Sequence, residues 1–206
     1  MDALSPAQQT AELFDKFNNA PITEWNYLDK VAINDQFDNK SEPSLRAWVR
    51  DGLSGTTSFI LKTEFTSTQI DPDMLFEKLS DTRWRMENDP RWCEPEMIEE
   101  RQDGSKVIFM CTPKPKIPII SKRQILLESF TLMNHGGEGR HLEVGRSIEH
   151  PSKPAASGMF ADVRANITVI GILVEKNPKG EGSRMTEIRA IDLCGSLPGA
   201  AVKKAT

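Results

Sequence analysis

From residue 97 to residue 193 the chain repeats one pattern: a β-rich run, then a short stretch of glycine, asparagine or proline. The runs are 97–101, 107–112, 125–133, 142–148, 163–174 and 184–193. The breaks include Asp103-Gly104, NHGGEG at 134–139 and NPKGEG at 177–182. Turns of this composition take up the left-handed backbone that tight hairpins need, and so return each strand against its predecessor. Most of these strands are consecutive and antiparallel, and a meander is expected.

The first half adds a helix and further strands. Ser5 and Pro6 are an N-cap and a first helical residue, and Leu13, Phe14 and Phe17 give residues 6–18 an apolar stripe. Strand-like pieces follow at 31–37 and 45–50. Residues 56–66 alternate Phe59, Leu61, Thr63 and Phe65 with Ser58, Ile60, Lys62 and Glu64, a strand with one face buried. The period then changes. Asp71 caps and Pro72 opens a helix with Leu75, Phe76 and Leu79 on one face, fraying over 80–88 before Pro90. The end, GSLPGAAVKKAT, starts a helix after Pro198 that stops within about two turns. The fold class is α+β: one domain over 1–206, a strongly curved antiparallel sheet with a helix inserted after its third strand.

Composition narrows the function classes. With 206 residues, 38% hydrophobic and 27% charged, the chain suits one folded domain with a sizeable core. A formal net charge of -4 implies no broad nucleic-acid surface. Cys93, Cys111 and Cys194 are dispersed and odd in number, without CxxC or Cys/His spacing, so neither a disulfide framework nor a zinc site is expected. The start, MDALSPAQQTAELF, lacks a signal-peptide pattern, Asp2 excludes N-myristoylation, and no apolar run approaches the ~18 residues of a membrane span. The expectation is a cytoplasmic monomer.

Candidate catalytic groups are few. His135 and His141 flank a turn and His150 precedes Pro151; none lies in a metal or nucleophile motif. No catalytic residue, metal or cofactor is implied. Arg85 and Asp89 stand four apart and face each other if the chain there stays helical; a surface ion pair of at most ~1 kcal/mol is the alternative. The loop PKPKIPIISKR sets Ile117, Ile119 and Ile120 among Lys114, Lys116, Lys122 and Arg123. Isoleucines that partition beside cations that meet anionic head groups suit a membrane-contact loop. Alternatively, Ile119 and Ile120 plug the core beneath a tight loop.

Six pieces in order carry a resemblance: KLSD at 78–81; Arg85-x-x-x-Asp89; the P…S-x-R loop ending at Arg123; R-S-x-x-H-P from Arg146; VRA at 163–165; and D-x-x-G-x-L-P ending at Pro198. Together, over 63–198 and by extension the whole chain, they resemble the START (StAR-related lipid transfer) domain family. The resemblance implies a helix-grip fold, in which the curved sheet wraps a long C-terminal helix and encloses an apolar tunnel for one lipid. It places Arg85 and Asp89 at the head-group end and Arg164 near the start of a tunnel wall. Met110, Ile125 and Thr168 fall where phosphatidylcholine-binding relatives carry aromatic rings, so it implies a sterol or another lipid without a choline cage. Arg123-Gln124 and Asn88-Asp89 depart from the family's Arg-Asp and Trp-Asp. The C-terminal helix expected of the family extends well beyond the eight residues that follow Pro198, which suggests a truncated chain or a short lid.

Non-enzymatic lipid binding and transfer at a transient membrane surface is therefore the leading expectation. A lipid-occupancy sensor with a protein partner is the second. A grip-fold cyclase or hydrolase is the third; it needs acid–base groups within the cavity, and only Arg85, Asp89 and Arg164 qualify.

Overall fold

The structure, a computed structural model, describes residues 4–28, 44–52, 58–113, 121–155 and 162–195. The first helix, α1 (Pro6–Asn18), begins where the sequence signals it. The Gln8 amide donates to the Ser5 hydroxyl at 3.3 Å, while the Ser5 amide donates to the Gln8 side chain at 2.9 Å. Two orphan amide groups are thereby satisfied at once. Three strands follow: β1 (Asn26–Tyr27), β2 (Ser44–Asp51) and β3 (Ser58–Ser67). The expected piece at 31–37 lies outside the described residues.

Two helices come next, α2 (Pro72–Ser80) and α3 (Thr82–Asn88). Fraying over 80–88 is not what occurs. Asp81 leaves the helical region at ψ 94, ends α2, and caps α3 by accepting from the Trp84 amide at 3.0 Å. One side chain restarts the helix, so Arg85 and Asp89 keep helical spacing.

The remaining strands are β4 (Cys93–Glu100), β5 (Lys106–Cys111), β6 (Arg123–Leu132), β7 (His141–Ser147), β8 (Val163–Arg164), β9 (Asn166–Lys176) and β10 (Ser183–Asp192). Among the described residues, ten strands make one curved sheet, nine of them in the order β1-β2-β3-β10-β9-β7-β6-β5-β4 and the tenth, β8, beside β6 off this path. The main path is antiparallel, and β10 returns against β3 over ten paired residues, from Ser58 opposite Asp192 to Ser67 opposite Ser183. The single strand expected over 163–174 is divided at Ala165. Val163 and Arg164 pair parallel to Arg123 and Gln124, and only from Asn166 does the chain join β10. Pro95 and a left-handed Glu94 (φ 52) fall in β4, an edge strand, where a lost amide donor and a bulge are tolerated.

The two faces of the sheet are filled differently. On one, α1 packs Ala11, Phe14 and Phe17 onto Ile60, Leu142, Val144, Val169, Leu173 and Ile188. On the other, Phe76 meets Ile172 and Val174 beneath α2, and beyond them Ile108, Met110, Leu127 and Ile167 form a separate cluster. The β3 alternation therefore reads in reverse of a simple half-buried strand. Ile60 is fully buried under α1, whereas Phe59, Leu61, Thr63 and Phe65 are only partly covered. Two histidines from around the β6–β7 turn hold the helices: His135 meets Asp15 of α1 at 2.8 Å, and His141 meets Asp73 of α2 at 3.0 Å.

At Gly171 the sheet backbone comes close to α1. A Cβ there would lie 2.6 Å from the Phe14 ring. Gly171→Ala is expected to cost about 1–3 kcal/mol by overpacking, read from the urea midpoint. In a Phe14→Ala background the same change is expected to be close to neutral; an equal cost in both backgrounds would show that Phe14 is not the obstacle.

Candidate functional site

The face opposite α1 carries a cavity of about 500 Å³. Its floor is Met110 from β5, Ile125 and Leu127 from β6, Ile167 and Ile170 from β9, and Ile191 from β10, with Phe59 and Trp92 at its sides. Apart from Ile167, which the irregularity at Thr168 brings to the same side as Ile170, these positions alternate along their strands with residues that face α1. Ile170 points into the cavity while Val169 is buried under the helix, as a two-residue side-chain period requires. A smaller pocket of about 50 Å³ adjoins it beneath Arg85, reaching Ser129 and Glu143.

Charge is concentrated at this inner end. Arg85 sits with its guanidinium 3.8 Å from Asp89, 3.5 Å from Glu143 and 4.5 Å over the Trp92 ring. Arg91 bonds Asp89 through two nitrogens, at 2.8 and 2.7 Å, and approaches Glu187 at 3.6 Å. Arg189 holds Glu187 at 2.6 Å, and Thr63 donates to the other oxygen of Glu187 at 3.4 Å. Ser129 donates to Glu143 at 3.1 Å. A buried charge is tolerated only when paired, and each of these three arginines has a carboxylate within 4 Å. The Nε of Arg85 is buried and makes no hydrogen bond among the described residues.

The acids respond in opposite directions. Burial lifts the Glu143 carboxyl above its ordinary value of 4.5, against the pull of Arg85, Ser129 and Lys106. Burial also works to lift Glu187, but Arg189 and Arg91 outweigh it and hold the group low. Asp89 is likewise held low by Arg91 and Arg85 despite burial.

Of the residues singled out from sequence, the structure brings Arg85, Met110 and Ile125 to the cavity wall and joins Asp89 to Arg85. Two fall elsewhere. Thr168 lies beside the register shift between β9 and β10 and does not line the cavity. Arg164, in the short parallel β8, lies 5.7 Å over the Phe109 ring, on the face of β5 opposite Met110, and donates to Gln124 and the Lys153 carbonyl. It borders a separate cleft of about 390 Å³ with His150 and Lys153. The division of the expected strand at Ala165 is what removes it from the tunnel wall. Lys122 is ion-paired to Glu94. Lys114, Lys116, Ile117, Ile119, Ile120 and the helix after Pro198 lie outside the described residues.

Arg91, Trp92, Glu143, Glu187 and Arg189 join the site without a motif or spacing in the sequence that marks them together. An acid inside an otherwise apolar strand, as in Leu142-Glu143-Val144, is the signal that marks such a residue. Among the described residues, no three His, Cys, Asp or Glu side chains gather as metal ligands. No helix among them is long and apolar enough to cross a membrane.

Neither protein-family models nor curated proteins match the sequence. Solved structures match the fold. Human StAR-related lipid transfer protein 5 superposes with a TM-score of 0.75 at 16% identity, covering 96% of this chain and 86% of that one. Human STARD10 gives 0.72 at 20% identity, covering 98% and 74%. A STAR-related lipid transfer protein from Xanthomonas axonopodis gives 0.59 at 14%, covering 88% and 89%. The chain thus has a START-like fold, as the motifs led one to expect.

Removing Arg85 strands Glu143. Arg85→Met is expected to destabilise by about 3–5 kcal/mol, with most of the loss restored in Arg85→Met/Glu143→Met, as urea midpoints will show. The pH dependence follows from the three acids. Because Glu143 is raised in the fold, its contribution is complete below about 4.5 and is lost as pH rises through the raised value. Asp89 and Glu187 act oppositely: their contribution is present above their ordinary 3.8 and 4.5 and is lost on acidification through their lowered values. Glu143→Gln is expected to abolish the decline on the alkaline side while leaving the acid limb intact; an unchanged alkaline limb counts against this assignment.

Proposed function

We propose that this protein binds one lipid in the cavity and carries it, without chemistry, between membranes. The observation that carries the reading is the cavity itself. At about 500 Å³ it lies within the ~300–1,000 Å³ of small-molecule sites, and its floor is aliphatic. Burying acyl or ring carbon there gains about 25 cal/mol per Å² removed from water. The likeness to structures described as lipid transfer proteins supports the same reading.

A lipid without a choline head is the ligand we favour. Among the described residues, Phe59 and Trp92 are the aromatic rings of the wall, and Arg85 already covers Trp92 at 4.5 Å. A quaternary ammonium needs open ring faces around it. Binding rather than catalysis is supported by Asp89 and Glu187, which arginines keep ionised, and by Glu143, whose carboxyl burial lifts but which does not line the main cavity; general acid–base work near neutrality calls for a poised proton at the ligand. The isoleucine- and lysine-bearing loop of residues 113–123 is the segment we assign to membrane contact, with the cytoplasm as the working compartment.

Native mass spectrometry of the purified chain, followed by lipid extraction, tests this. One lipid per chain is expected. Ile125→Trp, which fills the cavity from its floor, is expected to lower occupancy at least severalfold while the far-ultraviolet spectrum stays unchanged. A protein that emerges empty and takes up nothing from a mixed-lipid extract would overturn the reading.

A further inference from the structure

Arg123 differs from every other arginine in the cavity wall. It is 5% exposed, at the start of β6, where it lines the cavity with Thr112, Pro113, Ser121 and Leu193. Its Nε donates to the Leu193 carbonyl at 2.7 Å, Nη1 to the Ser121 carbonyl at 2.6 Å, and Nη2 to the Cys194 carbonyl at 3.2 Å. These bonds tie the start of β6 to the end of β10. They occupy three of the five N–H groups of a guanidinium.

Carbonyl dipoles satisfy donors but do not neutralise a charge. Among the described residues no carboxylate lies within 4 Å of Arg123, while Arg85, Arg91 and Arg189 each have one. Residues 113–121, which lead into Arg123, contain no acid, and neither do residues 195–206, which follow the Cys194 carbonyl it holds. Burial pulls its pKa down from the ordinary 12.5, as an unneutralised buried cation requires. A guanidinium nevertheless stays protonated in proteins. The wall therefore contains a buried, permanent positive charge with spare donors and, among the described residues, no counter-ion.

Resting on the lipid-binding reading, we infer that Arg123 is the head-group site of the cavity. It takes the anionic group of an acidic amphiphile, a carboxylate or a phosphate ester, with the apolar tail lying along Ile125, Leu127 and Ile170. Along β6, Arg123 and Ser129 are six residues apart, about 20 Å, so this site stands at the opposite end from the Arg85–Glu143 cluster. The resemblance in sequence puts the head group at Arg85 and Asp89; the distribution of unpaired charge puts an acidic one at Arg123. The inner arginines already hold carboxylates, and an added anion there would meet Asp89, Glu143 and Glu187. At Arg123 it meets a cation, and a charge-assisted bond is about twice as strong as a neutral one. The guanidinium is too buried to reach a bilayer surface from the closed fold, so the anion it holds is one that enters the cavity.

The test compares cis-parinaric acid with its methyl ester, two amphiphiles that differ in charge and share a fluorescent tail, on the full chain. The wild type is expected to bind the acid about tenfold or more tightly than the ester at pH 8. Arg123→Gln is expected to bring the two affinities together by weakening the acid alone. Arg123→Lys, which keeps the charge but loses the planar fork, is expected to reduce the acid-to-ester ratio severalfold without erasing it; this variant decides the matter if Arg123→Gln does not fold. Equal affinity for acid and ester in the wild type overturns the assignment and leaves the lipid reading standing. So does an unchanged ratio in the variant that folds. Failure of both probes to bind overturns the lipid reading and this assignment together.

Discussion

The pairing of β3 with β10 is the constraint on which the cavity depends. It joins residues 124 apart in sequence, such as Thr63 and Glu187, and runs through ten residue pairs. Closing so long a loop is entropically costly, and the cost is met by the apolar side chains that the closure covers. Phe59 and Ile191 are opposite each other in that ladder, and both line the cavity. Glu187 faces the same side and receives Thr63 across the strands. The two meanders thereby become one curved surface with a helix-covered face and a hollow one.

That hollow is maintained by what does not pack into it. α1 fills one face so closely that a Cβ at Gly171 would meet the Phe14 ring, whereas among the described residues the opposite face is covered by α2 and α3 only at one end. Where those helices stop, Arg85 is held between Asp89, Glu143 and the Trp92 ring. Its network forms a polar inner wall, which marks where apolar ligand must end. Arg123 marks the other limit by binding carbonyls of two neighbouring segments. Among the described residues, the cavity is therefore bounded by two arginine sites of different character, one matched by carboxylates and one by carbonyls. Such a division orients an amphiphile more strongly than a uniformly apolar tunnel would, since a charge placed at the wrong end pays desolvation without a partner.

The elements whose causes are local were legible in the sequence. Ser5-Pro6 and Asp71-Pro72 start α1 and α2 where they should, because a cap and a fixed φ act within one turn. The glycine-rich turns locate the hairpins, because a left-handed backbone is a demand of single residues. Two local readings were wrong for local reasons: Asp81 restarts a helix expected to fray, and Ala165 divides a strand expected to run through. In the site, Arg85 and Asp89 were visible through helical spacing and Met110 and Ile125 through the resemblance. Arg164 was misassigned to the cavity, because one parallel step against β6 moves a side chain to the other face of the sheet.

The sequence by itself therefore determined the hairpin turns of its second half and the starts of α1 and α2, since caps and turn residues are written residue by residue, and its ordered motifs carried the resemblance to a START-like fold. Beyond the local Arg85–Asp89 pair, which charges meet was decided by tertiary structure. Arg91 and Glu187 lie on different elements, and nothing in either neighbourhood announces the other. The contrast between Arg85 and Arg123 arises in the same way: both read as Arg in a short motif, and only the assembled sheet sets the Glu143 carboxylate of β7 beside one and the carbonyls that follow β10 beside the other. Charge pairing is a property of distance in space, and distance in space exists only once the sheet has closed.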